Sequence, residues 1–408
     1  MKGMRRIAGS LALLLLTAGV TVAEVDLAVR GKIVYPVSGD PIENGVVLIE
    51  DGRIQAVGPA SKVKIPRGVE VLEAAVVTPG LVDVHTVVGL AGIYNSDQGQ
   101  VQDQDQLETS DPVQPELRAV DAYDAVEPLV EWVRSLGVTT IHTGHAPGAV
   151  ISGQTLVAKT RGENVAESVV IPATALAATL GTSVTQNFES PGTSAKTAAT
   201  LREALVKAQD YRRKQEGEKP PDRDLRNEAM ARVLDGELAL MITAQTATEI
   251  ATALRLQREF GFRLWLDGAA ESYRMIEAIR EANVPVLLHP PMIRAGGDLR
   301  NAAHDTARRL AEAGIPFALQ TGFESYVPKA RVLIYEAGAA VHFGLSPEDA
   351  LRAVTLEPAG ILGLADRIGT LEPGKDADLV LYDGDPFEYT SHVCTVLIEG
   401  EVVSDVCR

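Results

Sequence analysis

The sequence predicts an α/β protein: a TIM-type (β/α)8 barrel with a small composite β-sandwich built from both ends of the chain. The 408 residues suffice for a barrel of about 250 residues plus an accessory module. A central region of about 290 residues alternates strand-like and helix-like runs, the pattern of a parallel sheet with crossover helices. Short turn-punctuated β segments at both ends then imply that the termini meet outside the barrel. The expected division is a signal peptide over 1–23, a sandwich from 24–75 and 366–408, and the barrel over 76–365.

At the N-terminus, Lys2, Arg5 and Arg6 precede the apolar run Leu11 to Leu16, and the small residues Thr21 and Ala23 stand where a signal peptidase acts. This predicts export to the periplasm, with a mature chain beginning near Glu24. A membrane anchor is the competing reading, but a spanning helix needs about 20 apolar residues, and this run is interrupted by Gly9, Ser10, Thr17, Gly19 and Thr21.

From Val25 onward the pattern is LAVRGKIVYP and then GVVLIEDGRIQAVG, a hairpin with an Asp51-Gly52 turn. Near the other end, GTLEPGKDADLVLYDGDP leads into VCTVLIEGEVV, a second hairpin turning at Glu399 and Gly400. It brings together the two cysteines of the chain, Cys394 and Cys407. In an oxidising compartment that pair is a candidate disulfide, and two thiols without neighbouring histidines do not complete a metal site.

The eight central strand runs are VVTPGLVDVH, VTTIHTGH, TLVAKT, SVVIPA, LALMITA, FRLWLDG, VPVLLHP and IPFALQTG, with TLVAKT also readable as a hairpin arm. ESYRMIEAIREANV and NAAHDTARRLAEAG are amphipathic helices between them. The Gln/Asp-rich stretch from Ser96 to Asp111 and the charged QEGEKPPDRD interrupt the alternation as surface loops; the first enters after the first barrel strand, where active-site loops lie.

A formal charge of -17 with scattered basic residues argues against nucleic acid as a partner. There is no G-x-S-x-G elbow and no phosphate-cradling P-loop.

The segments TPGLVDVH, IEDGRIQAVG, LSPEDALRAVTLEPAGILGL, GTLEPGKDADLVLYDGDP and VLIEGEVV, in that order, resemble the motifs of the amidohydrolase superfamily. DPVQPELRAVDAYD and ISGQTLVAKTRG look similar to segments of its exported imidazolonepropionase-like branch. The resemblance implies hydrolysis of carbon–nitrogen bonds in amides, cyclic imides or dipeptides by water activated on one or two divalent metals. It also implies a homodimer as a family expectation.

The expected ligands are largely replaced. A His-x-His pair on the first strand would face both rings to the barrel mouth, but this chain has His85-Thr86-Val87. The fifth strand offers Thr243 and Gln245, the sixth Asp267, and the eighth Gly322 where an aspartate is implied. Lys159, beside Arg161, reads as a surface lysine rather than the carbamylated lysine of binuclear members. Two readings stay open. In one, His85, His142, His145 and His289 hold one relocated divalent ion (zinc, iron or manganese), with Asp267 and Glu324 as the catalytic carboxylates. In the other, no metal binds, these are hydrogen-bonded polar residues, and the protein is a pseudoenzyme that binds a small amide-type ligand or pairs with an active paralogue. His304 and His342, on predicted helices, and His392, in the sandwich, read as ordinary histidines.

Overall fold

In the computed structural model, residues 25–92, 105–324 and 329–407 are described. The expected signal peptide and most of the Gln/Asp-rich stretch lie outside them. The chain opens with β1 (Leu27–Val34), β2 (Ile42–Glu50), β3 (Arg53–Pro59) and β4 (Glu70–Pro79), followed by β5 (Leu81–Thr86), β6 (Val138–Thr143), β7 (Ile151–Gln154), β8 (Leu156–Lys159) and β9 (Val169–Ile171). It continues through β10 (Ala175–Thr179), β11 (Ala239–Ala244), β12 (Leu264–Gly268), β13 (Val286–Leu288) and β14 (Phe317–Leu319), then closes with β15 (Leu379–Tyr382), β16 (Val393–Ile398) and β17 (Glu401–Ser404).

The two ends of the chain share one seven-stranded sheet ordered β17-β16-β15-β4-β1-β2-β3, a single hydrogen-bonded sheet in place of the expected sandwich. Both expected hairpins are present. Asp51 and Gly52 take φ of 48° and 71°, and Glu399 and Gly400 take 49° and 79°, the left-handed pair that a two-residue turn demands to match strand twist. The two turns touch: a side chain on Gly52 would lie 2.7 Å from the Glu399 carbonyl oxygen. Cys394, on β16, forms a disulfide with Cys407, just past the end of β17.

The remaining strands make a mixed α/β body of two sheets, β14-β13-β12-β11-β10-β7 and β5-β6-β8-β9. Strands β10 to β14 run parallel, as do β5 and β6. The run 151–159 pairs antiparallel with β10 through β7 and with β6 through β8, so TLVAKT is the hairpin arm of the two readings. A parallel bridge from Thr86 to Gly322 connects β5 to the end of β14.

Two strand expectations need correction. VVTPGLVDVH is two strands: β4 stays in the terminal sheet through Pro79, and β5 begins after Gly80, where a Cβ would strike the Thr139 hydroxyl at 2.2 Å. SVVIPA supplies only the short β9, antiparallel to β8, and the parallel strand is the following β10, ALAAT. Alanines bury little apolar surface, so β10 gave a weak hydrophobic signal although all five of its residues are buried.

Lys159 is not a surface residue. It is 3% exposed, and its ammonium pairs with Asp378 and, at 3.5 Å, with Asp376. Arg53 and Arg367 also reach Asp376, at 3.3 and 2.8 Å. This ionic cluster fastens the end of β8 to the terminal sheet.

Candidate functional site

The C-terminal ends of β11, β12, β13 and β14 and the end of β5 surround a cleft of about 170 Å³, whose lining includes His85, Asp267, His289 and Glu324. Four of the six expected site residues are therefore brought together. Ligands gather at these strand ends because side chains there project into loops rather than into the packed sheet.

Asp267 sits at the centre. Its Oδ1 accepts from His85 Nδ1 at 2.8 Å and from Gln320 Nε2 at 2.9 Å, and its Oδ2 accepts from Thr243 Oγ1 at 2.6 Å. The carboxylate holds the proton of His85 on Nδ1 and leaves Nε2 buried without a hydrogen-bond partner. Burial alone would push the Asp267 carboxyl up; the His85 imidazole and the three donors outweigh it and hold the group at about 2. Burial likewise pulls His85 toward its neutral form, but Asp267 and then Asp83 leave it above its ordinary value. Asp83, fully buried, is pushed up to about 7 by desolvation, against hydrogen bonds from Thr321.

His142 and His145 do not line the cleft. His142 uses both ring nitrogens within the core, on the Val84 carbonyl and the Thr155 hydroxyl, each at 2.6 Å. His145 packs against Gly153, where a Cβ would approach its Nε2 to 2.4 Å. Glu324 points into the cleft, but it is ion-paired with Arg331, which also pairs at 3.0 Å with the buried Glu336. His289 Nε2 stands 3.8 Å from Glu324. Of the remaining histidines, His304 precedes its helix rather than lying on it, His342 ends the helix Leu333–His342, and His392 pairs with Asp383 near the surface.

The donor set offers one buried nitrogen without a partner, His85 Nε2, but falls short of a complete set of converging ligands. Among the described residues no three His, Cys, Asp or Glu side chains converge as a metal would need. Asp267 already accepts three hydrogen bonds, two on Oδ1 and one on Oδ2, which leaves a single acceptor site on Oδ2 for any further partner. Gly322 adds to this: it has φ of 64°, and a Cβ there would press on the His289 ring at 2.8 Å, so the aspartate implied by resemblance has no room unless His289 moves. Sequence reasoning passed over Gln320, Arg331 and Asp83. Gln320 is adjacent to a strand end in IPFALQTG, but neither its residue type nor its spacing marks it as a partner of Asp267.

The solved structure of an amidohydrolase from Thermotoga maritima superposes with a TM-score of 0.85 at 29% identity, covering 93% of this chain and all of that one. The amidohydrolase family profile matches residues 292–404. The chain belongs to the amidohydrolase superfamily. Among curated relatives of this amidohydrolase-superfamily protein, the imidazolonepropionase of Geobacillus kaustophilus is 36% identical over 104 residues, 24% of each chain. The amidohydrolase tasK of Hapsidospora irregularis is 25% identical over 88% of this chain and 40% of its own. The matches thus span less than half of either relative. An adenosine deaminase from Xanthomonas campestris with bound zinc shares the fold, with a TM-score of 0.56 at 18% identity.

The buried histidines predict an acid-side loss of stability. Burial, then the charge of His85, holds His142 at about 3 and His145 at about 4. In the unfolded chain both take up protons near pH 6.5. Their contribution is therefore present above about pH 6.5 and is lost as pH falls toward 4. Asp83 opposes one of them, because its folded carboxyl keeps a proton below about 7 that the unfolded chain releases. His289, also held below its ordinary value by burial, adds to the excess, so the unfolded chain carries at least about one proton more and the slope is at least about 1.4 kcal/mol per pH unit. Urea midpoints at pH 6.5, 5.5 and 4.5 should fall steadily; a flat series would show that these imidazoles are not held neutral.

Proposed function

We propose that this chain is an exported amidohydrolase-superfamily protein that takes a small amide-type molecule into the cleft around His85, Asp267, His289 and Glu324, with metal-dependent carbon–nitrogen hydrolysis impaired. The observation that carries this reading is the Asp267 carboxylate, which accepts from three protein donors. Metal-assisted hydrolysis needs an ion with an open position and a water of lowered pKa. In this cleft the central carboxylate is instead satisfied by protein donors.

The two inner sheets are best read as one (β/α)8-type barrel, joined by the run 151–159 and by the Thr86–Gly322 bridge. The terminal sheet is its accessory module. Export is supported by the N-terminal pattern and by the Cys394–Cys407 disulfide, since such bonds persist in oxidising compartments. Among the described residues no helix is long and apolar enough to cross a membrane. A charge of -17 suits a small-molecule ligand better than nucleic acid. Pairing with a second copy or with an active paralogue is the expected assembly.

The alternative is the metal-dependent hydrolase of the family, favoured by His85, His289 and Glu324 sharing one cleft. Elemental analysis of protein purified without chelators separates the two. We expect metal far below one ion per chain, equally in wild type and in His85→Ala. Near-stoichiometric zinc, iron or manganese that His85→Ala abolishes would establish the hydrolase instead.

A further inference from the structure

The segment after β13 borders the cleft. Arg294 and Leu299, both on it, line the cleft wall. One end is fixed where the Met292 amide donates to Glu336 at 3.0 Å. The other is fixed at Asn301, whose carbonyl accepts from the Tyr273 hydroxyl at 3.0 Å and whose amide donates to Glu271 at 2.7 Å. Between these anchors, Asp298 reaches across to the start of the short helix Thr182–Asn187 that follows β10, where its Oδ2 accepts from the Thr182 amide at 2.9 Å and from the Thr182 hydroxyl at 2.8 Å. Gly181 makes the approach possible, since a Cβ there would stand only 3.2 Å from that oxygen.

Just before the latch come Gly296 and Gly297. A Cβ on either would meet no atom within 4 Å, and Gly297 has φ of 50°. Two successive glycines without side-chain packing, one in the left-handed region, supply the backbone freedom of a hinge; the single turn Gly297–Leu299, closed by the Leu299 amide on the Gly296 carbonyl at 2.8 Å, would move with the latch. The Asp298–Thr182 hydrogen bonds are exposed, so water competes for both partners and the contact opens readily.

We propose that residues 293–300 form a strap that gates the cleft, hinged at Gly296–Gly297 and latched by Asp298 on Thr182, with Arg294 and Leu299 as the strap's ligand-facing residues. Closed, the strap excludes water from a small amide-type ligand; open, it admits and releases it. This rests on the cleft being the ligand site, but its test needs no ligand. Hydrogen–deuterium exchange on the full chain should show amides of 293–300 exchanging about tenfold faster in Asp298→Ala than in wild type, with a smaller rise in Thr182→Val, which retains the amide donor. Amides of β10 to β14 should not change. A second readout uses Leu299→Cys as a single free thiol, the native pair being disulfide-bonded. Its modification by a thiol reagent should speed up about tenfold when Asp298→Ala is added, if opening limits access. Unchanged exchange and thiol reactivity in Asp298→Ala overturn the latch. Faster exchange throughout the chain also overturns it, because the contact would then hold the fold rather than the strap. A cleft that proves to bind no amide would remove the proposed function and leave both readouts as they stand.

Discussion

Asp267→Ala is expected to cost the protein about 3–5 kcal/mol, the loss seen when one partner of a buried charged network is removed. His85, Thr243 and Gln320 all donate to this carboxylate, and His85 is 3% and Asp267 2% exposed. Without it the imidazole keeps its burial penalty and loses the charge that offsets it. A double-mutant cycle with His85→Ala isolates the pair: the second substitution should cost much less once the first is made, a coupling of about 2 kcal/mol. Urea unfolding of the four proteins measures it. Additive losses would show that His85 and Asp267 do not depend on each other.

A similar loss, again about 3–5 kcal/mol, is expected for Lys159→Met at the seam between β8 and the terminal sheet. The substitution preserves length and apolar volume, so the effect reports the charge. Asp376 keeps Arg53 and Arg367. Asp378 keeps a hydrogen bond from the Glu399 amide at 2.9 Å, but this 3%-exposed carboxylate loses its ammonium partner. Adding Asp378→Asn should therefore recover part of the loss, since asparagine still accepts from Glu399 without a charge. Denaturant midpoints of the single and double variants decide this. A Lys159→Met protein as stable as wild type would mean that the cluster is hydrated rather than buried.

Those two sites divide differently between sequence and structure. Asp267 was legible because it ends a strongly hydrophobic strand, and strand ends gather functional groups. Lys159 was misread because nothing local marks a buried lysine: its partners lie more than 200 positions away, in GKDADLV. His142 and His145 looked like candidate ligands by residue type and proximity to a strand end. Only the packing shows that the first is consumed by Val84 and Thr155 and the second pressed against Gly153.

What the sequence determined by itself was local or periodic. The Asp51-Gly52 and Glu399-Gly400 turns, the central strand–helix alternation and the loss of the second histidine at Val87 all follow from residue type and short-range spacing. The tertiary structure decided which groups face one another. Asp267 became a hydrogen-bonded centre because folding brought Gln320, Thr243 and His85 onto it from three other strand ends. Hydrogen bonding and desolvation depend on distances of a few ångströms between residues remote in the chain, and such distances exist only once the strands are assembled.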